Sequence, residues 1–598
     1  MKNKNLIKTA LMITMLFLSV IMLAFNVQLT KADSQTVYIN ADGSITPTGA
    51  PISNTSNYYH LIGDISYPTY DGIVVNRSNI IIDGEGYAVQ GNQNGNGLAL
   101  YDINNVTIKN IEITGFWYGI HLNSSSNVVL LGNNASENNL DGIELDSSYY
   151  NVISGNTATG NSFGGIDLVG SSNNTLSGNN ASKNSYDGID LYSSNNTIIS
   201  NNIATGNSPS GGSPLYSAGI YLAGSSNDTL SGNNASENSE DGVGLDSSSC
   251  NVLCQNLING NHASGIDLYF SSNNNTISNN TATGDSFDGI YLQSSSNDTL
   301  SGNDASENLL NGTDLYNSSN NTLSSNDVSG NSRNGIYLEV SSSNNTVSDN
   351  NASGNSNDGI DLSNSSYNIL YQNLINGNHM SGIDLSGSSC SNNTVLGNNL
   401  SGNYYYGTYL SGSNNTMLGN NISGNKINYY GTYLSGSNNT MLGNNISGNY
   451  ISNYGICVSG SNNSVLGNDI TEDTDYGFWL EGSGNTLSGN DIANNSPYGL
   501  FLDGSSNAVI SNNITLNDVG IGTGGNYNAI YHNNFINNSL YQTQFLGGYN
   551  FFDDGYPSGG NSTGTTTQRN IQAPVKTTAQ AYGTRRTSSA RITKITIL

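Results

Sequence analysis

Short alternations of apolar and polar residues recur along most of the chain and are separated by polar turns. A four-residue phrase opens each repeat, in which Gly is followed by two apolar residues that flank one variable residue, as in Gly165 to Leu168. Successive glycines of this phrase lie 22 to 25 residues apart, with one interval of 31. The glycines are Gly97, Gly119, Gly142, Gly165, Gly188, Gly219, Gly242, Gly265, Gly289, Gly312, Gly335, Gly359, Gly382, Gly407, Gly431, Gly455, Gly477 and Gly499. A period this short leaves no room for a helix and excludes the helical solenoids.

Each period contains two or three strand signals of about three residues, bounded by Gly, Ser and Asn. Strands this short cannot bury an apolar face unless successive periods stack. Equivalent strands of stacked coils hydrogen-bond in parallel at about 4.8 Å separation. The sequence therefore predicts an all-β fold, a single parallel β-helix of about 19 to 20 coils with about 22 to 24 residues per coil. The crossover preference makes it right-handed.

The alternative is a disordered, low-complexity chain, which has no reason to keep Ile and Leu in phase over so many periods. Within the phrase, alternation predicts that positions two and four point into the core and that position three points outward. Asn recurs at the turns, where it accepts left-handed backbone angles and forms side-chain ladders between coils.

The composition of the chain divides it into four segments. Residues 1–33 join three early lysines, an apolar run from Ala10 to Phe25 and a small residue at Ala32, which predicts a cleaved secretory signal, with an uncleaved anchor as the alternative. Residues 34–96 are predicted to form the N-terminal cap and first coils, and residues 97–561 the repeat domain. Residues 562–598 are Thr-rich and basic; we expect a disordered tail, and our hypothesis for its atypical sequence is a frameshift.

The formal charge of −28, from 15 basic and 43 acidic residues, narrows the choice of partners. A surface so poor in cations does not neutralise a phosphate backbone or an anionic membrane. Nucleic acid is therefore excluded, and contact with a membrane is expected only through the N-terminal segment if it stays uncleaved. We expect a monomer, secreted or displayed on the cell surface, that meets neutral polymers or cations.

The four cysteines and the Asn-x-Ser/Thr sequences add little to this picture. Cys250 and Cys390 take equivalent positions in the repeat six coils apart, and only Cys250 and Cys254 are close enough for a disulfide, so we expect free thiols. Sequences such as those at Asn134 and Asn180 make the chain a candidate glycoprotein, although the repeat generates them in any case.

Position three of the phrase forms an outward column whose first half is mainly acidic. Glu144, Asp167 and Asp190 occupy three consecutive coils, so that ionised carboxylates would lie about 5 Å apart. Such charges recruit a cation, raise a pKa or splay apart. Calcium, which takes several oxygen ligands, is the natural counterion if a cation binds, and no cofactor is required. The alternative is a solvated acidic face relieved by salt.

The second half of the column is aromatic. Aromatic rings beside carboxylates suit the apolar faces and polar rims of sugars, although stacked rings also stabilise parallel strands without any ligand. The candidate ligand-binding residues are Tyr221, Tyr291, Tyr337, Tyr409, Tyr433, Trp479 and Phe501.

Several motifs resemble the right-handed parallel β-helix family that includes the NosD-like and CASH (carbohydrate-binding and sugar-hydrolase) domains, and are similar to secreted archaeal members. The opening coils carry this resemblance at Val37–Ile39, Ala41–Ser44, Ile80–Tyr87 and Asn105–Asn110, and the end of the repeat carries it at Asp553–Asn561. The resemblance implies a β-helix and extracellular carbohydrate as the ligand class.

Three function classes remain open. We expect an exported β-helix that binds extracellular polysaccharide along its acidic and aromatic face without catalysis. The first alternative is a polysaccharide-processing enzyme (glycoside hydrolase, lyase or epimerase) with Glu144, Asp167 or Asp190 as its carboxylates, near the overhang at Thr205–Ala218. The second is a structural envelope spacer. Copper handling, suggested by analogy through the NosD name, is not expected, because no His/Met cluster has the spacing of a metal site.

Overall fold

The chain coils into a parallel β-helix of about 21 turns with about 23 residues per turn. The computed structural model describes residues 35–552 except 69, 210–216, 426–429, 450–453 and 474, together with the backbone strand of residues 562–563. These residues form strands and turns and contain no helix, hence none long and apolar enough to cross a membrane. The predicted fold is confirmed, and strands of the first sheet continue at both ends of the rod, before Gly97 and after Gly499.

The first sheet contains the glycine phrase. Its parallel strands are Val37–Ile39, Ile73–Val75, Asn96–Tyr101, Tyr118–Asn123, Ile143–Asp146, Ile166–Val169, Ile189–Tyr192, Ile220–Ala223, Val243–Asp246, Ile266–Tyr269, Ile290–Gln293, Thr313–Tyr316, Ile336–Glu339, Ile360–Ser363, Ile383–Ser386, Tyr406–Leu410, Tyr430–Leu434, Tyr454–Val458, Tyr476–Leu480, Tyr498–Leu502, Val519–Thr523, Tyr541–Phe545 and Ser562–Thr563. Ile45–Thr46 pairs antiparallel with the first of them.

The second sheet follows the first polar turn of each coil. Its strands are Ile52–Thr55, Tyr58–Leu61, Ile80–Asp83, Val106–Lys109, Val129–Leu131, Val152–Ser154, Thr175–Ser177, Ile198–Ser200, Thr229–Ser231, Val252–Cys254, Thr276–Ser278, Thr299–Ser301, Thr322–Ser324, Thr346–Ser348, Ile369–Tyr371, Thr394–Leu396, Thr416–Leu418, Thr440–Leu442, Ser464–Leu466, Thr486–Ser488, Ala508–Ile510, Ala529–Tyr531 and Phe551–Phe552. The first two form an antiparallel hairpin in the N-terminal cap.

The third sheet is the least regular. Its strands are Ile65–Ser66, Ala88–Gln90, Glu112–Thr114, Asn134–Ala135, Leu374–Asn376, Asn399–Ser401, Asn421–Ser423, Asn445–Ser447, Asp469–Thr471, Asp491–Ala493, Asn513–Thr515 and Asn534–Ile536. Between Asn134 and Leu374 the sheet continues only as single bridges from coil to coil.

The repeat register places equivalent residues directly above one another. Ile143 pairs with Ile166, and Leu145 pairs with Leu168. These Ile and Leu side chains are fully buried, so the predicted inward positions are confirmed. The phrase begins with Gly because the corner is tight: a Cβ on Gly165 would lie 2.5 Å from the carbonyl oxygen of Gly188 in the next coil.

Buried asparagine ladders run along the inside of the turns. In one of them, Asn156 donates from its backbone N–H and from Nδ2 to Oδ1 of Asn179, and Asn179 does the same to Asn202. Each Nδ2 also reaches a carbonyl on the preceding side, as Asn179 does to Ile153. An amide serves here because it donates and accepts at once, so that each asparagine of this ladder bonds to both neighbouring coils.

The ladder asparagines differ from the asparagines with left-handed backbone angles, which the sequence analysis treated as one set. In the pair Asn173-Asn174, Asn173 has a φ of 61° and is exposed, while Asn174 is buried and bonded between coils. Lys183 and Asn184 repeat the arrangement at another turn. The left-handed residue reverses the chain, so that the next side chain points inward.

All four cysteines are free thiols. The expected equivalence of Cys250 and Cys390 is wrong. An inner column of serine hydroxyls, including those of Ser342 and Ser365, donates to leucine carbonyls of the preceding coil. Cys390 is buried in the next place of this column, where its Sγ donates to the carbonyl of Leu362 and accepts from the N–H of Ser365. Cys250 is exposed at a left-handed turn position.

Several predicted segments lie outside the described residues. These are the signal at 1–33, residues 210–216 of the overhang at 205–218, the closing motif at 553–561 and the tail at 562–598 apart from the strand Ser562–Thr563. That strand pairs in parallel with Thr543 and Gln544.

Neighbouring asparagines allow a test of the ladders. Asn138 is 1% exposed and its Oδ1 accepts the backbone N–H of Phe116, whereas Asn139 is exposed. Because Asn138→Ala leaves the buried N–H of Phe116 without its acceptor and removes the bonds that Asn138 Nδ2 donates, we expect it to cost about 2 to 3 kcal/mol of stability. Asn139→Ala should change stability by less than about 0.5 kcal/mol. Urea unfolding and hydrogen exchange at the Phe116 amide measure the difference; equal effects of the two variants would refute the role of the ladder.

Candidate functional site

Position three of the glycine phrase forms one continuous column on the outer face of the first sheet. Glu144 pairs with Asp167, Asp167 with Asp190 and Asp190 with Tyr221 in successive coils. The pairing continues through Asp384 and Tyr409 to Phe501. The structure thus brings the predicted carboxylates into register, and it brings the predicted aromatic residues into the same column farther along the rod.

The outward side chains lie deeper than alternation alone predicts. Glu144 is only 8% exposed, and Asp267 and Asp314 are similarly buried. Oε2 of Glu144 has no hydrogen-bond partner, and neither has Oδ1 of Asp267. The first half of the column is therefore a row of sunken carboxylates with unsatisfied oxygens.

A second acidic column runs beside the first and has a structural role. Asp141, the residue before Gly142, accepts the backbone N–H of Gly164 in the next coil at 2.6 Å. Asp187 accepts from Ala218 at 2.6 Å in the same way. These aspartates tie one coil to the next, and they also place a carboxylate next to the position-three column.

The two columns meet in a compact acidic cluster. One carboxylate oxygen each from Asp141, Glu144 and Asp167 lie within 4.8 Å of one another. Asp190, which the sequence grouped with Glu144 and Asp167, lies outside this cluster although it pairs with Asp167. The sequence analysis left Asp141 out of the candidate site. The sequence contains a sign of its role, because acids before the glycine occur in the same coils as acids at position three.

Burial controls the electrostatics of the columns. The pKa of Glu144 is raised, first by desolvation and then by the charges of Asp167 and Asp141. Burial and the charge of Asp167 also raise the pKa of Asp190. Farther along, desolvation followed by neighbouring carboxylates raises the pKa of Asp361 to about 8 and that of Asp384 to about 9. These groups carry protons at neutral pH unless a cation replaces the proton.

Basic partners are scarce around the column. Among the described residues, the one salt bridge joins Lys109 to Asp83 in the opening coils, where it helps to hold the pKa of Asp83 low. The two cavities described, of about 190 and 400 Å³, lie in the N-terminal cap between Gln35 and Ile65. Neither cavity includes a carboxylate of the position-three column.

The second half of the face is a stack of aromatic rings. The tyrosines before the glycine follow one another with centroid separations of 4.9 to 5.9 Å and small interplanar angles; they are Tyr406, Tyr430, Tyr454, Tyr476 and Tyr498. Tyr409 stacks on Tyr433 at 5.5 Å, and Trp479 packs against Tyr454 at 4.6 Å. The rings cover one another's faces and are half-buried, so their rims and polar atoms form the outer surface.

The predicted aromatic residues therefore separate into two groups. Tyr409, Tyr433, Trp479 and Phe501 belong to the stack, together with the tyrosines before the glycine, which the sequence analysis did not select. Tyr221 lies over Gly244, and Tyr291 and Tyr337 each pair with aspartates on both sides.

Two family models match the chain. One, described as "Right handed beta helix region", matches residues 153–291 and 276–427. The other, described as "Periplasmic copper-binding protein (NosD)", matches residues 48–217 and 412–572, more than half of the chain. No curated protein sequence matches this chain.

Solved structures with a similar fold include three polysaccharide-processing enzymes. The periplasmic alginate epimerase AlgG is 13% identical, with a TM-score of 0.26 over 72% of this chain and 83% of that chain. The A-module of the Azotobacter vinelandii mannuronan C-5 epimerase AlgE6 is 14% identical, with a TM-score of 0.26 over 71% and 91%. The catalytic domain of a GH87 alpha-1,3-glucanase in complex with nigerose is 15% identical, with a TM-score of 0.23 over 52% and 57%. The likeness extends to the fold alone.

Amide substitutions of Asp361 and Asp384 test the protonation of the column. Their folded-state pKa values exceed the unfolded value near 3.8, so at pH 5 to 8 the folded protein holds more protons than the unfolded chain. The resulting stability is complete at acidic pH and is lost as pH rises through about 8 to 9, at up to about 1.4 kcal/mol per pH unit for each group. We expect the melting temperature in chelator to fall from pH 5 to 9, and less steeply in Asp361→Asn/Asp384→Asn.

The exposed Asp349 provides the control for this experiment. Asp349→Asn should retain the wild-type pH slope. An unchanged slope in the double variant would contradict protonation of these carboxyl groups.

Proposed function

We propose that this chain, which belongs to the NosD family of right-handed parallel β-helix repeat proteins, is an extracytoplasmic protein that binds polysaccharide along one face without catalysing a reaction on it. The observation that carries the proposal is the aromatic strip, formed by the nine stacked rings between Tyr406 and Phe501 on five successive coils. The periplasmic description of the family supports a location outside the cytoplasm.

The strip has the polarity of a sugar-binding surface. Its rings present hydrocarbon rims and phenol hydroxyls, as at Tyr433, whose Oη accepts a hydrogen bond from Ser459 Oγ at 2.9 Å. Sugars offer the same mixture of apolar C–H groups and hydroxyls. Coils rise by about 4.8 Å, close to the length of one unit of an extended polysaccharide, so that a chain along the rod axis meets equivalent groups at each unit.

The stacking also limits how sugars bind. Because the ring faces pack against neighbouring rings, a sugar cannot insert between them and contacts the rims instead. Each contact of this kind is weak, and affinity comes from repetition along the rod. Long polysaccharides should therefore bind far more tightly than their short fragments.

A polysaccharide-processing enzyme is the second candidate, favoured by the raised pKa of Glu144 beside Asp167. A protonated carboxyl group next to a second carboxylate is what a general acid requires. One oxygen of each carboxylate in the acidic cluster lies within 4.8 Å of the others, which is near the separation of about 5 to 5.5 Å in retaining glycosidases and shorter than the 6.5 to 9.5 Å in inverting ones. The cavities described lie elsewhere, in the N-terminal cap.

The described residues do not fit a copper site. The acidic cluster is their only group of three or more His, Cys, Asp or Glu side chains with the geometry of a metal site, and it holds neither His nor Cys. His379 stacks on Tyr404, and His262 Nδ1 lies 3.2 Å from the carbonyl oxygen of Asn238. Met417 and Met441 pair between coils but are fully buried in the hydrophobic core. Copper prefers clustered imidazole and sulfur ligands, which the described residues do not bring together.

Removing two rings of the strip tests the proposal. Trp479→Ala combined with Tyr433→Ala should weaken binding to an immobilised polysaccharide at least tenfold, because both rings contribute to the same surface. Glycan arrays identify the polysaccharide, and affinity electrophoresis measures the binding. Circular dichroism and thermal melting verify that the variant is folded.

The matched control removes two aromatic residues from other surfaces. Tyr367 and Tyr527 are 59% and 61% exposed at turns, and Tyr367→Ala/Tyr527→Ala should leave binding unchanged. Equal binding by both double variants would contradict the proposal. Release of reducing sugar or unsaturated product would establish the enzyme, and absence of both binding and release would favour a structural spacer.

A further inference from the structure

The acidic cluster of Asp141, Glu144 and Asp167 is drawn from two successive coils. Asp141 and Glu144 flank the corner at Gly142 and Ile143, and Asp167 pairs with Glu144 in the next coil. One carboxylate oxygen of each residue lies within 4.8 Å of the other two. The stacking of coils, rather than a loop, holds these oxygens together.

Independent evidence for a ligand comes from the unsatisfied oxygens. Glu144 is 8% exposed, yet its Oε2 has no hydrogen-bond partner. Oδ1 of Asp167 is also buried and without a partner. Buried polar atoms in native proteins are normally paired, so these two oxygens indicate a missing positive partner.

No lysine or arginine among the described residues supplies such a partner, and burial lowers the pKa of His121, which pairs with Glu144. No Lys or Arg occurs between Lys109 and Lys183. Lys183 is exposed at a left-handed turn, and Lys109 forms its salt bridge with Asp83. Compensation of the three carboxylates must therefore come from a bound cation or from protons.

We propose that Asp141, Glu144 and Asp167 bind one calcium ion. Calcium–oxygen distances of about 2.3 to 2.6 Å place ligands on opposite sides of the ion at most about 5 Å apart, which accommodates the spacing of the cluster. Magnesium, at about 2.0 to 2.1 Å, requires a tighter and strictly octahedral arrangement. Asp167 is partly exposed, so water completes the coordination on that side.

The ion and a proton compete for this site. Without calcium, a proton on Glu144 relieves its repulsion with Asp167; calcium displaces that proton, so affinity increases with pH. The other titratable groups that interact with the cluster are Tyr118, His121, Asp146, Tyr186, Asp187 and Asp190. Burial, followed by the charges of the nearby carboxylates, raises the pKa of Tyr118 to about 12, so Tyr118 stays neutral between pH 6 and 8.

Calorimetric titration of the chelator-treated full chain with calcium chloride tests the proposal. We expect calcium to bind and to raise the melting temperature, with at least tenfold weaker binding of magnesium and tighter calcium binding at pH 8 than at pH 6. Glu144→Gln and Asp167→Asn, tested separately, should each weaken this binding at least tenfold. Both keep the side-chain shape, and in chelator each should melt at or above the wild-type temperature, because an amide at either position needs neither a proton nor a counterion.

The matched control is Asp361→Asn/Asp384→Asn, which changes two paired carboxylates of the same column outside the cluster. It should retain the calcium affinity of the cluster. The proposal is overturned if the wild type binds no calcium, if both cluster variants bind as tightly as the wild type, if the control loses the same binding, or if magnesium binds equally well.

Discussion

Buried amide ladders along the turns are the interaction on which this structure depends. A β-helix coil must reverse direction several times per turn, and each reversal places backbone N–H and C=O groups inside the rod. Asparagine solves this because its side chain accepts from the coil on one side and donates to the coil on the other. The substituted positions show why an amide is needed. At Asp228 and Asp473 the carboxylate still accepts from the neighbouring coil, but its second oxygen has no partner.

Register along the ladders has a consequence for the outer surface. Once the turns are aligned, the residues at one repeat position of successive coils form a column along the rod. Repetition of an acid then produces like charges at the spacing of hydrogen-bonded strands, half-covered by their neighbours. A buried row of this kind cannot remain fully ionised without a counterion. The repeat that builds the rod thus also creates its most unusual electrostatic feature.

The acidic and the aromatic halves of the face differ in how they deal with charge repulsion between neighbouring coils. In the acidic half, backbone N–H groups satisfy the aspartates before the glycine, while oxygens of the position-three acids remain unpaired. In the aromatic half, rings at the same positions stack on one another and need no counterion. The change occurs where Asp384 pairs with Tyr409. One scaffold therefore presents a cation-seeking surface and a surface of neutral aromatic rims.

The periodic glycine phrase by itself determined the parallel β-helix, the burial of Ile166 and Leu168, and the order of Glu144, Asp167 and Asp190 along the column. The repeat length and the apolar-polar alternation specify these features, because each strand of the repeat pairs with the equivalent strands of the adjacent coils. Only the tertiary structure decided that Asp141 joins Glu144 and Asp167, because that depends on the sharp corner at Gly142. It also decided how deep the outer side chains lie, since depth depends on the neighbouring column, and that the tyrosines cover one another's faces. The apolar-polar alternation of the sequence predicts on which side of the sheet a residue lies. The packing of neighbouring columns in the folded structure determines which groups that residue contacts.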